Sequence, residues 1–373
     1  MARKYGKKND VKLDPLDYNI GLIGESGIGK TTLIFEVCEK LVGEDGYIFL
    51  ETGKEDGEEA IQGIVSEKVR EWEDFEDVCE DIIENKITDY KDLKIVVIDT
   101  FDQLVDMAKK EVIAMHNREN PEKQIKSIKQ AFGGFMAGED KALEIVLDKL
   151  WELKDVGVHF ISIGHVKRKE SEDPVTGETY SILTTDMSGR DFKKLQTKLH
   201  FLGVAFINRE IIREKTGKKD PKTKKEITKN VVKSEARRIT FRDDNYSVDS
   251  KSRFADIIDE IPLDPDEFIK ALKDAILAER NKRGAKPAKE AAKEQKELKA
   301  KAEEVIAKRE CKAREEKKLQ EMQEKIRDYL TSCKDDVESL KPFIFACKEL
   351  GWAKPFEVDN VEDAKKILEL INK

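Results

Sequence analysis

Residues 24–31 read Gly24-Glu25-Ser26-Gly27-Ile28-Gly29-Lys30-Thr31, with Thr32 following, and this stretch decides the fold. It fits G-x-x-x-x-G-K-[ST] at every position. Its glycines let the backbone curl until successive N–H groups converge on phosphate oxygens. An apolar run, Asn19 to Ile23, precedes it, and a helix-like run, Thr31 to Leu41, follows. That strand–turn–helix order aims the positive end of a helix at the same phosphates. Lys30 adds a mobile cation for the β- and γ-phosphates, and Thr31 adds a hydroxyl for Mg²⁺. ATP, or a close relative, with Mg²⁺ is the ligand these residues suit.

Working outward, strand-like and helix-like segments alternate. Tyr47 to Glu51 reads as a second strand, and Glu58 to Asn85 has helical spacing with an acidic middle. Lys94 to Asp99 contains Ile-Val-Val-Ile without a polar interruption, as expected of a strand buried on both faces. Helices are expected over Phe101 to Met115 and Lys141 to Leu153, and a fourth strand over Val158 to Ile163. The alternation predicts an α/β domain, a mainly parallel sheet flanked by helices. Leu199 to Glu214 and Glu226 to Arg242 then read as a C-terminal β-hairpin at one edge of that sheet.

Asp99 ends its apolar strand where a Walker B carboxylate holds Mg²⁺, so Thr31 and Asp99 are the expected metal residues. Hydrolysis also needs a group to orient the attacking water. Glu51, at the end of the second strand, is the favoured residue, with Asp102 and Glu55 as rivals. His165 follows the fourth strand, where a polar side chain would sense the γ-phosphate or simply close the strand with an ordinary hydrogen bond.

Of the 373 residues, 39% are hydrophobic and 40% charged, so part of the chain is solvated helix rather than core. The net charge of −8 argues against a surface basic all over, but not against a local basic groove. Cys38, Cys79, Cys311, Cys333 and Cys347 show no C-x-x-C spacing, which suits reduced thiols in a cytoplasm. No window reaches the roughly 18–20 apolar residues of a membrane span. Residues 1–16 read as a basic tail and 17–283 as the motif-bearing domain. From 284 to 330 the charged sequence predicts a long exposed helix, with Leu298, Val305, Leu319 and Ile326 on a seven-residue repeat that Lys312 interrupts. Residues 331–373 regain Phe343, Phe345, Leu350, Trp352 and Phe356 and predict a small helical module, with Asn360 and Asp363 capping its last helix.

Gly24 to Thr31, Ile95-Val96-Val97-Ile98-Asp99-Thr100, Phe160-Ile161-Ser162-Ile163-Gly164-His165 and Lys251-Ser252-Arg253-Phe254 occur in an order that resembles phage-encoded RecA-like nucleotide-binding proteins. These are P-loop NTPases that include single-strand annealing and recombination ATPases. The resemblance covers roughly residues 17 to 275. It implies a homo-oligomer, ring or filament, with ATP at subunit boundaries, where Lys251 and Arg253 would reach a neighbour's γ-phosphate. It also implies single-stranded DNA as partner. Phe132 and Phe135, in a glycine-rich loop, offer faces for bases. Lys167, Arg168 and Lys169 open a long loop to Arg190 that contains Tyr180 and offers charge for phosphates. The basic turn holding Lys218, Lys219, Lys222, Lys224 and Lys225 is a third candidate. The rival expectation is a nucleotide-dependent switch or loader whose helical tail grips a protein partner.

Overall fold

A computed structural model describes residues 11–53, 60–172, 176–219, 226–241, 251–282, 288–332, 340–341, 344–345, 348, 358 and 360–371. The chain divides into two compact units, residues 1–296 and 297–373. The first is built on strands β1 (Ile20–Gly24), β2 (Tyr47–Thr52), β3 (Ser66–Val69), β4 (Ile95–Asp99) and β5 (His159–Glu172). Strands β6 (Thr179–Thr185), β7 (Phe201–Lys219), β8 (Glu226–Thr240), β9 (Lys251–Ser252) and β10 (Glu260–Pro262) follow. Their order across the sheet is β10-β8-β7-β1-β5-β4-β2-β3, with β6 on β5 and β9 on β7. The run from β7 to β3 is parallel throughout, and β8 and β10 add an antiparallel edge. This is the mainly parallel, helix-flanked sheet of a P-loop NTPase.

The strand residues alternate between two cores. Ile95 and Val97 face one side of the sheet with Ile20, Leu22, Ile161 and Ile163. Helices α1 (Lys30–Val42) and α6 (Pro265–Asn281) cover that side with Leu33, Ile34, Phe268 and Leu272. Val96 and Ile98 face the other side, under α2 (Trp72–Glu84), α3 (Phe101–Glu119), α4 (Ala137–Asp155) and α5 (Gly189–Lys198). Successive strand side chains point to opposite faces, so an unbroken apolar run is what a centrally placed strand requires.

Three regions depart from the sequence expectation. The stretch read as one helix from Glu58 to Asn85 holds β3 and α2 instead, with residues 54–59 outside those described. Ser66, Glu67 and Lys68 are exposed, so β3 pairs through its backbone and carries no apolar pattern. Glu71 and Asp74 then form a reciprocal capping box that starts α2. The stretch expected as a loop from Lys167 to Arg190 is an antiparallel ribbon of β5 with β6, followed by the start of α5. The hairpin of β7 and β8 is present, but β10 lies outside β8 at the sheet edge.

In the second unit, the C-terminal part of α7 (Ala288–Ser332) packs against α8 (Val361–Ile371). Ile326, Val358, Ala364 and Ile367 are buried there, with Leu319 and Met322 beside them. Asn360 Oδ1 accepts from Asp363 N at 2.9 Å and caps α8. Phe345, expected in this core, is exposed, and Phe343, Leu350, Trp352 and Phe356 lie outside the described residues. Among the described residues no helix is long and apolar enough to cross a membrane.

Candidate functional site

Parallel pairing brings the C-terminal ends of β1, β2 and β4 level with the middle of β5. Gly24 on β1 is level with His165 on β5, and Asp99 on β4 is level with Glu51 on β2. Glu51, Asp99, His165 and the glycine loop therefore share the C-terminal edge of the sheet, where ligands of open α/β sheets bind.

The glycine loop has the backbone its sequence requires. Gly27 and Gly29 have φ of 72° and 103°, in the left-handed region where a Cβ is strained. Gly29 is the N-cap of α1, and no side chain caps that helix, so its first N–H groups face the loop. Lys30 is 6% exposed, and its Nζ donates to Gly24 O and Glu25 O, each at 3.1 Å. The ammonium is thereby drawn into the curl of the loop. Ile28 is buried in the core under α1, so of the loop residues it contributes its backbone alone. Glu25 is half-buried, and Ser26 and Thr32 are exposed.

Thr31 Oγ1 donates to Asp99 Oδ2 at 2.6 Å, a charge-assisted hydrogen bond between residues far apart in sequence. A hydroxyl and a carboxylate brought together beside a phosphate cradle match what Mg²⁺ uses when substrate phosphates complete its coordination. The chain's own residues thus fit both a nucleotide's phosphates and the metal that accompanies them.

Glu51 is 2% exposed. One of its oxygens accepts from Ser66 Oγ at 2.6 Å, and Oε2 is buried without a partner among the described residues. A buried carboxylate oxygen with spare acceptor capacity is what orients a water. Asp102 is engaged elsewhere. Its Oδ1 accepts from His165 N at 3.3 Å, and its Oδ2 lies 3.4 Å from His165 Nδ1. Burial pushes the Asp102 carboxyl up, but the His165 contacts and two backbone N–H groups outweigh it and hold the group below its usual value. Asp102 thus positions His165, and Glu55 lies outside the described residues.

The remaining predicted residues do not join this edge. Arg253 N donates to His200 O at 3.0 Å, and its guanidinium donates to the carbonyl of Thr197 at the end of α5. Lys251 is level with Leu202 on β7. Both lie by the start of β7, across the sheet from the glycine loop, so neither serves its own phosphate site. The side chain of Lys251 lies outside those described.

Phe132 and Phe135 lie in a run of left-handed residues from Phe132 to Met136, with φ of 52°, 94°, 80°, 49° and 69°. Phe135 is fully exposed, while Phe132 is partly covered, its ring edge-on to His116 at 5.3 Å. Lys167 is in β5 rather than a loop, and its Nζ pairs with Asp186 at 3.2 Å. Arg168, Lys169 and Tyr180 are likewise in the ribbon strands, with side chains outside those described. Lys218 and Lys219 fall in β7, and Lys222, Lys224 and Lys225 lie outside the described residues.

Three comparisons set the chain beside known proteins. A solved prototypical ATPase from the type III secretion system of pathogenic bacteria is 14% identical, with a TM-score of 0.30 over 50% of each chain. The match thus spans half the length of that ATPase. A search of curated proteins finds no match. The family model described as AAA domain matches residues 16–254, more than half of the sequence, and the chain belongs to this family of P-loop nucleotide-binding domains.

Proposed function

We propose that the chain is a Mg²⁺-dependent, RecA-like ATPase that acts on single-stranded DNA, in phage recombination, annealing or replication in the host cytoplasm. The observation that carries the ATPase reading is the 2.6 Å contact of Thr31 with Asp99 beside the glycine loop. Loop N–H groups and Lys30 bind the phosphates, and Thr31 and Asp99 would hold a magnesium, which would supply charge neutralisation there. Glu51, with its free buried oxygen, orients the attacking water and accepts its proton. His165, held by Asp102, is the group level with the loop that senses the γ-phosphate.

Two observations support the DNA reading. Phe132 and Phe135 hold strained backbone conformations that cluster at functional sites, and an exposed ring is a stacking platform for bases. Lys167, Arg168 and Lys169 open a ribbon that rises from the same strand as His165, and three cations in succession suit phosphates. Lys251 and Arg253 lie away from their own loop, so a part for them at the phosphates requires a homo-oligomer in which they reach a neighbour's nucleotide. The second compact unit, with its own small core, favours an alternative in which nucleotide state switches grip on a protein partner. ATP turnover measured with and without single-stranded DNA separates the two. Stimulation by DNA is the expected result. Turnover indifferent to DNA, with no strand binding at low salt, would leave the switch.

A further inference from the structure

Arg237 stands beside the glycine loop, although nothing in the sequence distinguishes it from Arg238 next to it. On β8 it is level with Ile207 of β7, two residues beyond Ala205, which is level with Gly24. At about 3.3 Å per residue that sets Arg237 roughly 7 Å past the end of β1, over the loop. It shares a face with Ile239, which is buried on the α1 side. A Cβ placed on Gly29 would lie 3.5 Å from Arg237 Nη1 and 3.6 Å from Leu263 Cδ2. Its neighbours on the strand pair are occupied, Arg209 with Glu235 and Arg238 with Glu260. Arg237 is exposed and makes no side-chain hydrogen bond or ion pair with any described residue. An arginine two strands from the P-loop strand, aimed at the loop and spared from pairing, has the chemistry of an anion ligand.

We propose that Arg237 is an intramolecular clamp on the α- and β-phosphates of the bound nucleotide, a role that rests on the nucleotide reading of the glycine loop. The sheet order supplies the direction. Asp99 approaches the loop from β4, on one side of β1, and Arg237 approaches from β8, on the other. Thr31 and Asp99 would hold a magnesium that offsets the charge of the terminal phosphate, so the γ-phosphate end belongs with them. The opposite flank faces the part of the nucleotide shared by ATP and ADP. Arg237 therefore holds the nucleoside diphosphate moiety, before and after cleavage alike, and opposes release of ADP.

Equilibrium titration of the full-length protein with fluorescent ADP and ATP, in magnesium, tests this. Arg237→Gln should weaken both nucleotides about tenfold or more, leaving the ATP-to-ADP affinity ratio within about threefold of wild type. Arg237→Lys, which keeps the charge but loses the planar fork, should fall between the two. Arg237 is exposed, so unchanged thermal denaturation of both variants is the control for folding. Wild-type affinity for both nucleotides in Arg237→Gln overturns the clamp. A loss confined to ATP also overturns it, because the guanidinium would then contact the γ-phosphate. Failure of the wild-type protein to bind either nucleotide would instead sink the reading of the glycine loop, and the clamp with it.

Discussion

Replacing Asp99 with asparagine separates what this residue does for the fold from what it does for the reaction. Asp99 is 5% exposed and accepts from Thr31 Oγ1 at 2.6 Å. Asparagine has the same shape, and its amide oxygen takes the same hydrogen bond. The bond changes from one with a charged acceptor, worth about 1.5–3 kcal/mol, to a neutral one worth about 0.5–1.5 kcal/mol. Stability should thus fall by about 1 kcal/mol, a few degrees in melting temperature. Turnover should fall much further, by about 10²–10³-fold, the usual loss when one preorganised electrostatic contact is removed. Binding without metal carries the opposite sign. With magnesium chelated, the carboxylate is a like charge beside the phosphates, so Asp99→Asn should bind ADP at least as well as wild type. ATP turnover across a magnesium titration, ADP binding with magnesium and with EDTA, and thermal denaturation measure the three quantities. Wild-type turnover with an unchanged magnesium requirement would refute the assignment. A fall of more than about 10 degrees in melting temperature would make Asp99 a structural residue.

Glu51→Gln should keep ATP binding while turnover drops by at least about 10²-fold, since the amide no longer accepts the water's proton; turnover within a few-fold of wild type would point to another base. Arg253→Ala should bind ATP but hydrolyse it poorly, and mixing it with Lys30→Ala protein should restore activity, because one boundary then joins a sound P-loop to a sound finger. No recovery on mixing would leave Arg253 with its Thr197 contact alone. Phe132→Ala and Phe135→Ala should each weaken single-strand binding by about 1–3 kcal/mol, read from titrations at fixed salt; equal affinities would exclude stacking. Asp102 is a carboxyl lowered on folding. Its contribution to stability is present above its unfolded value, about 3.9, and is lost as pH falls through the lower folded value. Asp102→Asn should therefore flatten the acid limb of urea-denaturation stability below about pH 4, and identical limbs in the two proteins would contradict this.

Legibility in the sequence followed the physics of each segment. The glycine loop could be read because a phosphate cradle admits few residue types, and Ile95 to Ile98 because a strand covered on both faces admits no polar one. Asp99 followed from its place at the end of that run. β3 was hidden because Val69 is its one buried residue and the rest is backbone pairing. The ribbon of β5 and β6 was hidden for a related reason: charged Lys167 to Glu172 shows no apolar alternation, so it resembles a loop until its partner strand is known. Partnerships between distant residues were equally invisible. Ser66 beside Glu51, Asp102 beside His165 and Arg237 beside Gly29 all depend on register across the sheet rather than on local pattern.

β5 continues as one strand of 14 residues from the sheet into the ribbon. Its lower half is clamped between β1 and β4, and its upper half is braced by β6 alone. A strand braced on both sides below and on one side above bends most easily where the bracing changes, beside His165. From there to Glu172, at about 3.3 Å per residue, the arm reaches about 23 Å. A rotation of about 10° at that point would carry the tip about 4 Å, several times the displacement at the sheet itself.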